Sequence, residues 1–417
     1  MQQNSVKSIL INILFIILLN KIFVKVFIKK MRICSVICEY NPFHNGHLYQ
    51  LEKIKNELKP DFVIGILSGN FVQRGEFACL DKYTRAILAC KMGMDMVIEL
   101  PTLYALSPAE IFSKGGISII KSIPFMTNIS FGVEDDNLDT FYSVLDIDEN
   151  DEEYKLALKK RLDLGERYPK AVALAKNERF KIDLDFLSKP NNILALEYLK
   201  ELKGSEIKPF LVKRVGDSLL DDKVNSAYPS ATAIRALLKE NNLEEVKKYL
   251  PKEVFDEIEK RSHYSNKSNL AVCLSLIRGS AYLKDICDVT EGLENRIFEM
   301  AKKSKTDDEL LENLKTKRYT DAKLRRILSY VILDVKKELM EVAKTETPYI
   351  KILAVKKSSL ELLSVITKQD KCKIITEFKD TALLNENQKK IFEKDMIAEN
   401  IFKVFCYDYP YKNMQLV

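Results

Sequence analysis

Five short, apolar, β-prone runs recur along the first half of this chain, at residues 32–38, 61–67, 96–100, 127–131 and 207–213, separated by stretches of helical periodicity. A strand, a helix and a further strand make a right-handed crossover, so strands arranged this way pair in parallel. The expected class is therefore α/β: a doubly wound parallel sheet with helices on its faces. Helices are predicted over 82–92, 109–120 and 190–199, and Pro101 stops the run at 96–100. Ligands of such sheets bind beyond the carboxyl ends of the strands. His44, His47, Ser68 and Gly132 all fall there.

The first junction carries the most chemistry. Its sequence is Ile37-Cys38-Glu39-Tyr40-Asn41-Pro42-Phe43-His44-Asn45-Gly46-His47, in which Asn41-Pro42 ends the strand; Leu48, Leu51 and Ile54 then recur at helical spacing. The whole chain has three histidines, and two of them stand here. Gly46 allows close approach at the helix mouth, where free N–H groups and the positive dipole end favour an anion. Two imidazoles there can donate hydrogen bonds to phosphate oxygens as charge builds at phosphorus. Two plainer readings are a pair of polar loop histidines and half of a metal site. The neighbouring sequence supplies no further His or paired Cys to complete a metal set. The His-x-Gly-His element resembles that of the nucleotidylyltransferase superfamily, which uses it to grip the phosphates of a nucleoside triphosphate.

At 417 residues the chain is long enough for two or more cored domains. A net charge of +6 permits a nucleic-acid partner without requiring one. The cysteines at 34, 38, 79, 90, 273, 287, 372 and 406 include no CxxC pair and read as free thiols of a reducing cytoplasm. Residues 1–30 are set apart: 9–19 is almost wholly apolar, and no acid precedes Glu39. That run is short for a membrane span of about 20 residues, and no small-x-small cleavage site follows it. It reads as a start-codon extension or at most an anchor, with Met31 opening the first strand.

Farther along, an acidic stretch at 146–153 opens a charged helical insertion extending to about 181, read as a solvated face. Ser230-Ala231-Thr232-Ala233-Ile234-Arg235 begins a helix with hydroxyls and one cation. It serves either as a clamp for terminal phosphates or as a routine cap with a surface Arg. A boundary is expected near Ser265-Asn266-Lys267-Ser268, dividing 31–264 from a mainly helical 265–417. Within the second part, residues 315–326 hold six basic side chains against one acidic, with Tyr319 among them. Such a run suits RNA phosphates and an unstacked base, or is simply a charged surface.

Taken together, the chain from Met31 onward resembles the bacterial tRNA(Met) cytidine acetate ligases. The resembling pieces are residues 39–47, Ser68-Gly69 with Val72-Gln73-Arg74-Gly75, Val97-Ile98-Glu99-Leu100-Pro101, Phe131-Gly132 with Glu134, Pro190-Asn191-Asn192-Ile193-Leu194, residues 230–235, Glu291-Gly292-Leu293-Glu294-Asn295-Arg296 and Lys317-Arg318-Tyr319-Thr320. Val133 stands where the family pattern has Ser, and Ala195 where Gly is usual. The resemblance implies a Rossmann-like nucleotidylyltransferase domain over 31–264 and a tRNA-binding domain over 265–417. It implies that ATP and acetate form acetyl-adenylate, whose acetyl group passes to N4 of the wobble cytidine of elongator tRNA(Met).

By the same resemblance His44 and His47 are catalytic, stabilising phosphate charge. The ATP site comprises Ile37, Cys38, Glu39, Tyr40, Asn41, Pro42, Phe43, His44, Asn45, Gly46, His47, Leu48, Tyr49, Gln50, Gly132, Asn191, Arg214 and Arg235, with Arg235 on the departing pyrophosphate. Lys317, Arg318 and Arg325 bind tRNA. Mg²⁺ is the expected companion of ATP, with no ligand identified, and no obligate protein partner is evident. Two rivals share parts of this pattern: a small-molecule adenylyl- or cytidylyltransferase of the same superfamily, and a non-catalytic RNA-binding protein.

Overall fold

The computed structural model describes residues 31–216, 228–261, 268–368, 372–407, 409–410 and 412–417. The leader at 1–30 and the boundary residues 265–267 lie outside the described residues. The strands are β1 (Ile33–Cys38), β2 (Phe62–Ser68), β3 (Phe71–Val72), β4 (Glu76–Phe77), β5 (Met96–Leu100), β6 (Met126–Val133), β7 (Lys208–Lys213), β8 (Ile350–Val355), β9 (Ile374–Ile375) and β10 (Gln415–Leu416). The main sheet runs β10-β8-β5-β2-β1-β6-β7, with β9 also on β8; β3 and β4 form a separate hairpin.

All five predicted strands form, and they pair in parallel. β2 and β5 are buried along their whole length, which explains why they read as largely apolar runs, broken in β5 by Glu99 alone, rather than as alternation. From β1 the chain builds outward through β2 to β5, then returns to place β6 on the other side of β1. The crevice between β1 and β6 is therefore the switch point where a ligand is expected. The loop carrying His44 leaves β1 there, and Gly132 lies in β6 beside it.

The mainly helical region after residue 268 departs from expectation in one respect. Ile350–Val355 leaves it and joins the sheet antiparallel to β5, with Lys351 opposite Glu99 and Ile352 opposite Ile98. β5 would otherwise expose a row of unpaired backbone groups, and the wholly buried β8 covers it. One apolar core consequently runs through both halves of the chain. The acidic insertion is a helix pair, Glu152–Asp163 and Tyr168–Phe180, with its own small cluster of Tyr154, Ala157 and Ala175. No helix among the described residues is long and apolar enough to cross a membrane.

Candidate active site

The helix Asn45–Lys53 begins with two histidines capping each other. Gly46 N–H donates to His44 Nδ1 (3.1 Å), and His44 N–H donates to His47 Nδ1 (3.2 Å). The rings stack with centroids 3.7 Å apart at 26°. A backbone N–H can only donate, so each neutral ring must carry its own proton on Nε2. The sequence suggested free N–H groups at this helix mouth, but the structure corrects that. Asn45 N–H donates to Tyr249 O (3.0 Å) and His47 N–H to His44 O (2.9 Å), so both are already engaged. What remains for an anion is the pair of Nε2–H donors and the nearby guanidinium groups.

Burial pushes His44 down to about 3, and the charges of Arg214 and Arg235 push it in the same direction. His47 is likewise lowered well below its ordinary value, by burial first, then by His44 and Arg214. Both rings are therefore neutral donors at pH 7. The sign of the stability effect follows from proton counting. Below pH 6.5, His44's ordinary value, the unfolded chain takes up a proton that the folded chain refuses until about pH 3. Stability is thus intact above pH 6.5 and falls as pH drops through that window. His44 alone should remove about 2 kcal/mol between pH 7 and 5. Urea unfolding of wild type and His44→Asn at those two pH values checks this, the variant losing less.

Gly46 is small for a spatial reason: a Cβ there would lie 2.9 Å from His44 Cε1. Gly46→Ala is expected to leave the helix intact, since Ala favours it, yet to displace the His44 ring. A misplacement of about 1 Å in a catalytic group costs on the order of 10²-fold in turnover, measurable as kcat with the circular dichroism spectrum unchanged.

His44, His47, Tyr49, Gln50, Gly132 and Arg214 line one cleft. Gln50 Nε2 reaches Ser130 Oγ on β6 (3.3 Å), tying the helix to the far side of the crevice. Arg214 leaves β7 with its N–H on Val133 O (2.8 Å), and its stem passes Gly132, where a Cβ would lie 3.4 Å from Cγ. Arg235 lies on the helix Ala231–Lys239, whose cap Ser230 accepts Ala233 N–H (3.0 Å). Its Nη1 donates to Asn41 O (2.9 Å), and its Nε lies 3.7 Å from Glu76 Oε2. Asn191 stands one step back, its Nδ2 donating to Glu134 Oε1 (2.6 Å).

Several predicted residues shape this cleft without lining it. Ile37 packs against Gly116 of the helix Ala109–Ser122, and Cys38 is buried, with its thiol pushed far up by that burial. Buried Tyr40 and Phe43 meet edge to face at 4.7 Å and lie against the His47 ring. Pro42 is buried and Leu48 packs on the core. Asn45 Nδ2 turns to Lys248 O (3.3 Å). Glu39 Oε1 accepts Gln73 N–H (2.7 Å); burial raises its carboxyl's pKa, opposed by that bond and by Arg235, Arg74 and Arg85. Sequence reasoning missed Tyr228, Val212 and Val215, which also line the cleft, and Glu76, which pairs with Arg235. Only contact across the fold reveals them.

The basic stretch divides as well. Lys317 and Arg318 are exposed and precede the helix Asp321–Leu333, which Thr320 caps. Arg318 pairs with Glu291 (2.7 Å). Arg325 is not beside them on an open face. It lies between Glu76 (3.6 Å) and Asp308 (3.9 Å), where its own backbone packs on Gly75 of the β3–β4 hairpin. Among the described residues, no group of three His, Cys, Asp or Glu side chains converges to hold a metal ion.

The chain matches the family model for HIGH nucleotidyl transferases over residues 31–415. It is 38% identical over 401 residues to a tRNA(Met) cytidine acetate ligase of Thermoanaerobacter sp. (strain X514), covering 93% of this chain and 97% of that protein. A tRNA(Met) cytidine acetate ligase of Clostridium botulinum (strain Okra / Type B1) is 38% identical over 392 residues, with 90% and 94% covered. Among solved structures, Thermotoga maritima TmcAL bound with alpha-thio ATP superposes with a TM-score of 0.82 at 29% identity, covering 93% of this chain and 100% of that one. The apo form of the same protein gives 0.84 at 30% identity.

Proposed function

The chain belongs to the HIGH nucleotidyl transferase family and, within it, to the tRNA(Met) cytidine acetate ligases, and from that premise we propose that it joins acetate to N4 of the wobble cytidine of elongator tRNA(Met) at the expense of ATP. In the first step an acetate oxygen attacks the α-phosphorus, the bond to the bridging oxygen breaks, and pyrophosphate leaves. In the second, the cytidine amino nitrogen attacks the acetyl carbonyl, AMP leaves, and the nitrogen gives up a proton. Neither step needs a covalent enzyme intermediate, only positioning and neutralised charge.

The observation that carries this reading is the stacked histidine pair at the β1–β6 switch point, with both Nε2–H groups available and Arg214 and Arg235 close enough to depress His44. In this reading His44 and His47 donate to the phosphates, and Arg235 holds the pyrophosphate as it departs. Because the rings enter neutral, they add directed hydrogen bonds rather than fixed charge, and these strengthen as negative charge develops on the oxygens. Mg²⁺ accompanies ATP as its phosphate counter-ion, and no residue of the cleft is assigned to it. Residues 31–264 carry the adenylation chemistry, the helical part grips the anticodon stem, and the enzyme works in the cytoplasm.

Exchange of labelled pyrophosphate into ATP tests the first step: it should require acetate. Exchange without acetate favours the small-molecule transferase instead. The second step is tested on the exposed pair. Lys317→Glu with Arg318→Glu reverses two charges on the proposed RNA surface, and at physiological salt tRNA affinity should fall about 10–100-fold. Filter binding measures the loss, and acetate-dependent exchange should persist in the same variant. Equal loss of both activities contradicts the division of labour.

A further inference from the structure

The helix Pro190–Leu202 opens on two adjacent asparagines with different tasks. Asn192 is fully buried and uses its whole amide inside the fold. Its Oδ1 accepts Glu134 N–H (3.1 Å) and Asp135 N–H (3.2 Å), and its Nδ2 donates to Phe186 O (3.3 Å). Asn191 is only half-buried. Its Nδ2 donates to Glu134 Oε1 (2.6 Å), whereas its Oδ1 has no hydrogen-bond partner among the described residues and is open to solvent rather than sealed in.

Glu134 decides which way round the Asn191 amide stands. Its Oε1 takes both the side-chain Nδ2 and the backbone N–H of Asn191 (3.4 Å), and its Oε2 takes Asn192 N–H (3.0 Å). Every partner is a donor, so the carboxylate acts as an acceptor only. Turned over, the amide would set Oδ1 against Oε1, oxygen facing oxygen with no proton between them. Nδ2 is thereby held inward and Oδ1 outward. The first N–H groups of this helix are also spent on Glu134, so its mouth is closed to a phosphate. Gly132 and Arg214 both line the histidine cleft; Glu134 follows the first by two residues, and its charge acts on the second. What this corner offers a ligand is an acceptor without a partner.

We propose that Glu134 is a positioning residue that fixes Asn191 as a hydrogen-bond acceptor, and that Asn191 Oδ1 takes one donor of the bound nucleoside. Adenosine carries two kinds of donor, the exocyclic amine and the ribose hydroxyls. The amine is the one that confers base specificity, because inosine replaces it by a carbonyl, which would face Oδ1 as a second acceptor. The proposal rests on ATP occupying the histidine cleft, and not on acetate or tRNA.

The test titrates ATP, inosine triphosphate, 2′-deoxy-ATP and 3′-deoxy-ATP into the full chain by calorimetry, without acetate or tRNA. Wild type should bind one of the analogues about tenfold more weakly than ATP, the worth of one hydrogen bond. A penalty on inosine triphosphate identifies the amine, and a penalty on a deoxy analogue identifies that hydroxyl. In Glu134→Gln the Asn191 amide is free to turn over, since Gln presents an N–H as well as an oxygen, and the penalty should fall away while ATP still binds. Asn191→Ala removes the acceptor at a half-buried position and should abolish the same penalty; it carries the test if Glu134→Gln fails to fold. All four nucleotides binding wild type equally overturns the proposal, as does Glu134→Gln weakening them all by one factor with their ratios unchanged. ATP failing to saturate wild type overturns this proposal and the proposed function together. Wild type that binds ATP yet shows no acetate-dependent exchange defeats the proposed function and leaves this titration standing.

Discussion

Replacing His47 by alanine should lower acetate-dependent pyrophosphate exchange by about 10²–10³-fold, the usual loss when one preorganised donor to a developing oxyanion is removed, while tRNA binding is retained. His47 has two tasks that the structure separates. Its Nε2–H is free to meet a phosphate, and its Nδ1 caps the helix by accepting His44 N–H (3.2 Å). Alanine removes both, and losing the cap costs about 1 kcal/mol of stability. His47→Asn offers a hydrogen-bonding side chain at the same place, but its amide lacks the reach of an imidazole. It should therefore recover much of the thermal stability and little of the rate. Single-turnover adenylate formation, filter binding of tRNA and a melting curve distinguish the two tasks. Exchange at the wild-type rate in His47→Ala removes the histidines from the mechanism.

Lys82→Ala is expected to be the most destabilising single change, by about 3–5 kcal/mol, because it strands buried carboxylates without their counter-charge. Lys82 is 1% exposed and lies 2.8 Å from Glu99 and 2.9 Å from Glu399, both equally buried. Burial by itself would raise Glu99's pKa; Lys351 and Lys82 outweigh it and hold the carboxyl below its ordinary value. The cluster joins β5, β8, the helix Lys82–Met92 and the helix Glu386–Phe405, so its loss loosens the two halves of the chain from each other. Urea unfolding should show the midpoint falling sharply. Lys82→Met combined with Glu399→Gln, which removes one charge of each sign, should recover part of the loss. If the double variant is no more stable than Lys82→Ala, packing rather than charge accounts for the effect.

These two residues also mark how far the sequence could be read. His47 was legible because its signal is local: a β-prone run, a break at Asn41-Pro42, and two of three histidines around Gly46. Lys82 gave no signal, since a lysine opening an amphipathic helix looks solvated until its partners, Glu99 and the distant Glu399, are brought to it. Arg325 shows the limit of a local reading. It sits in a basic run and reads as an RNA contact, and nothing in that run announces that Glu76, far away in the chain, lies beside it.

The sequence by itself determined the parallel pairing of β1, β2, β5, β6 and β7, the position of the histidine junction at their carboxyl ends, and the family. Those follow from periodicity and from short motifs, which neighbouring residues fix among themselves. Only the tertiary structure decided that β8 returns to cover β5, that the helix mouth is closed by its own histidines, and that both rings are neutral. Each of these depends on what is packed against a group rather than on what precedes it, because burial and charge act through space across long intervals of chain.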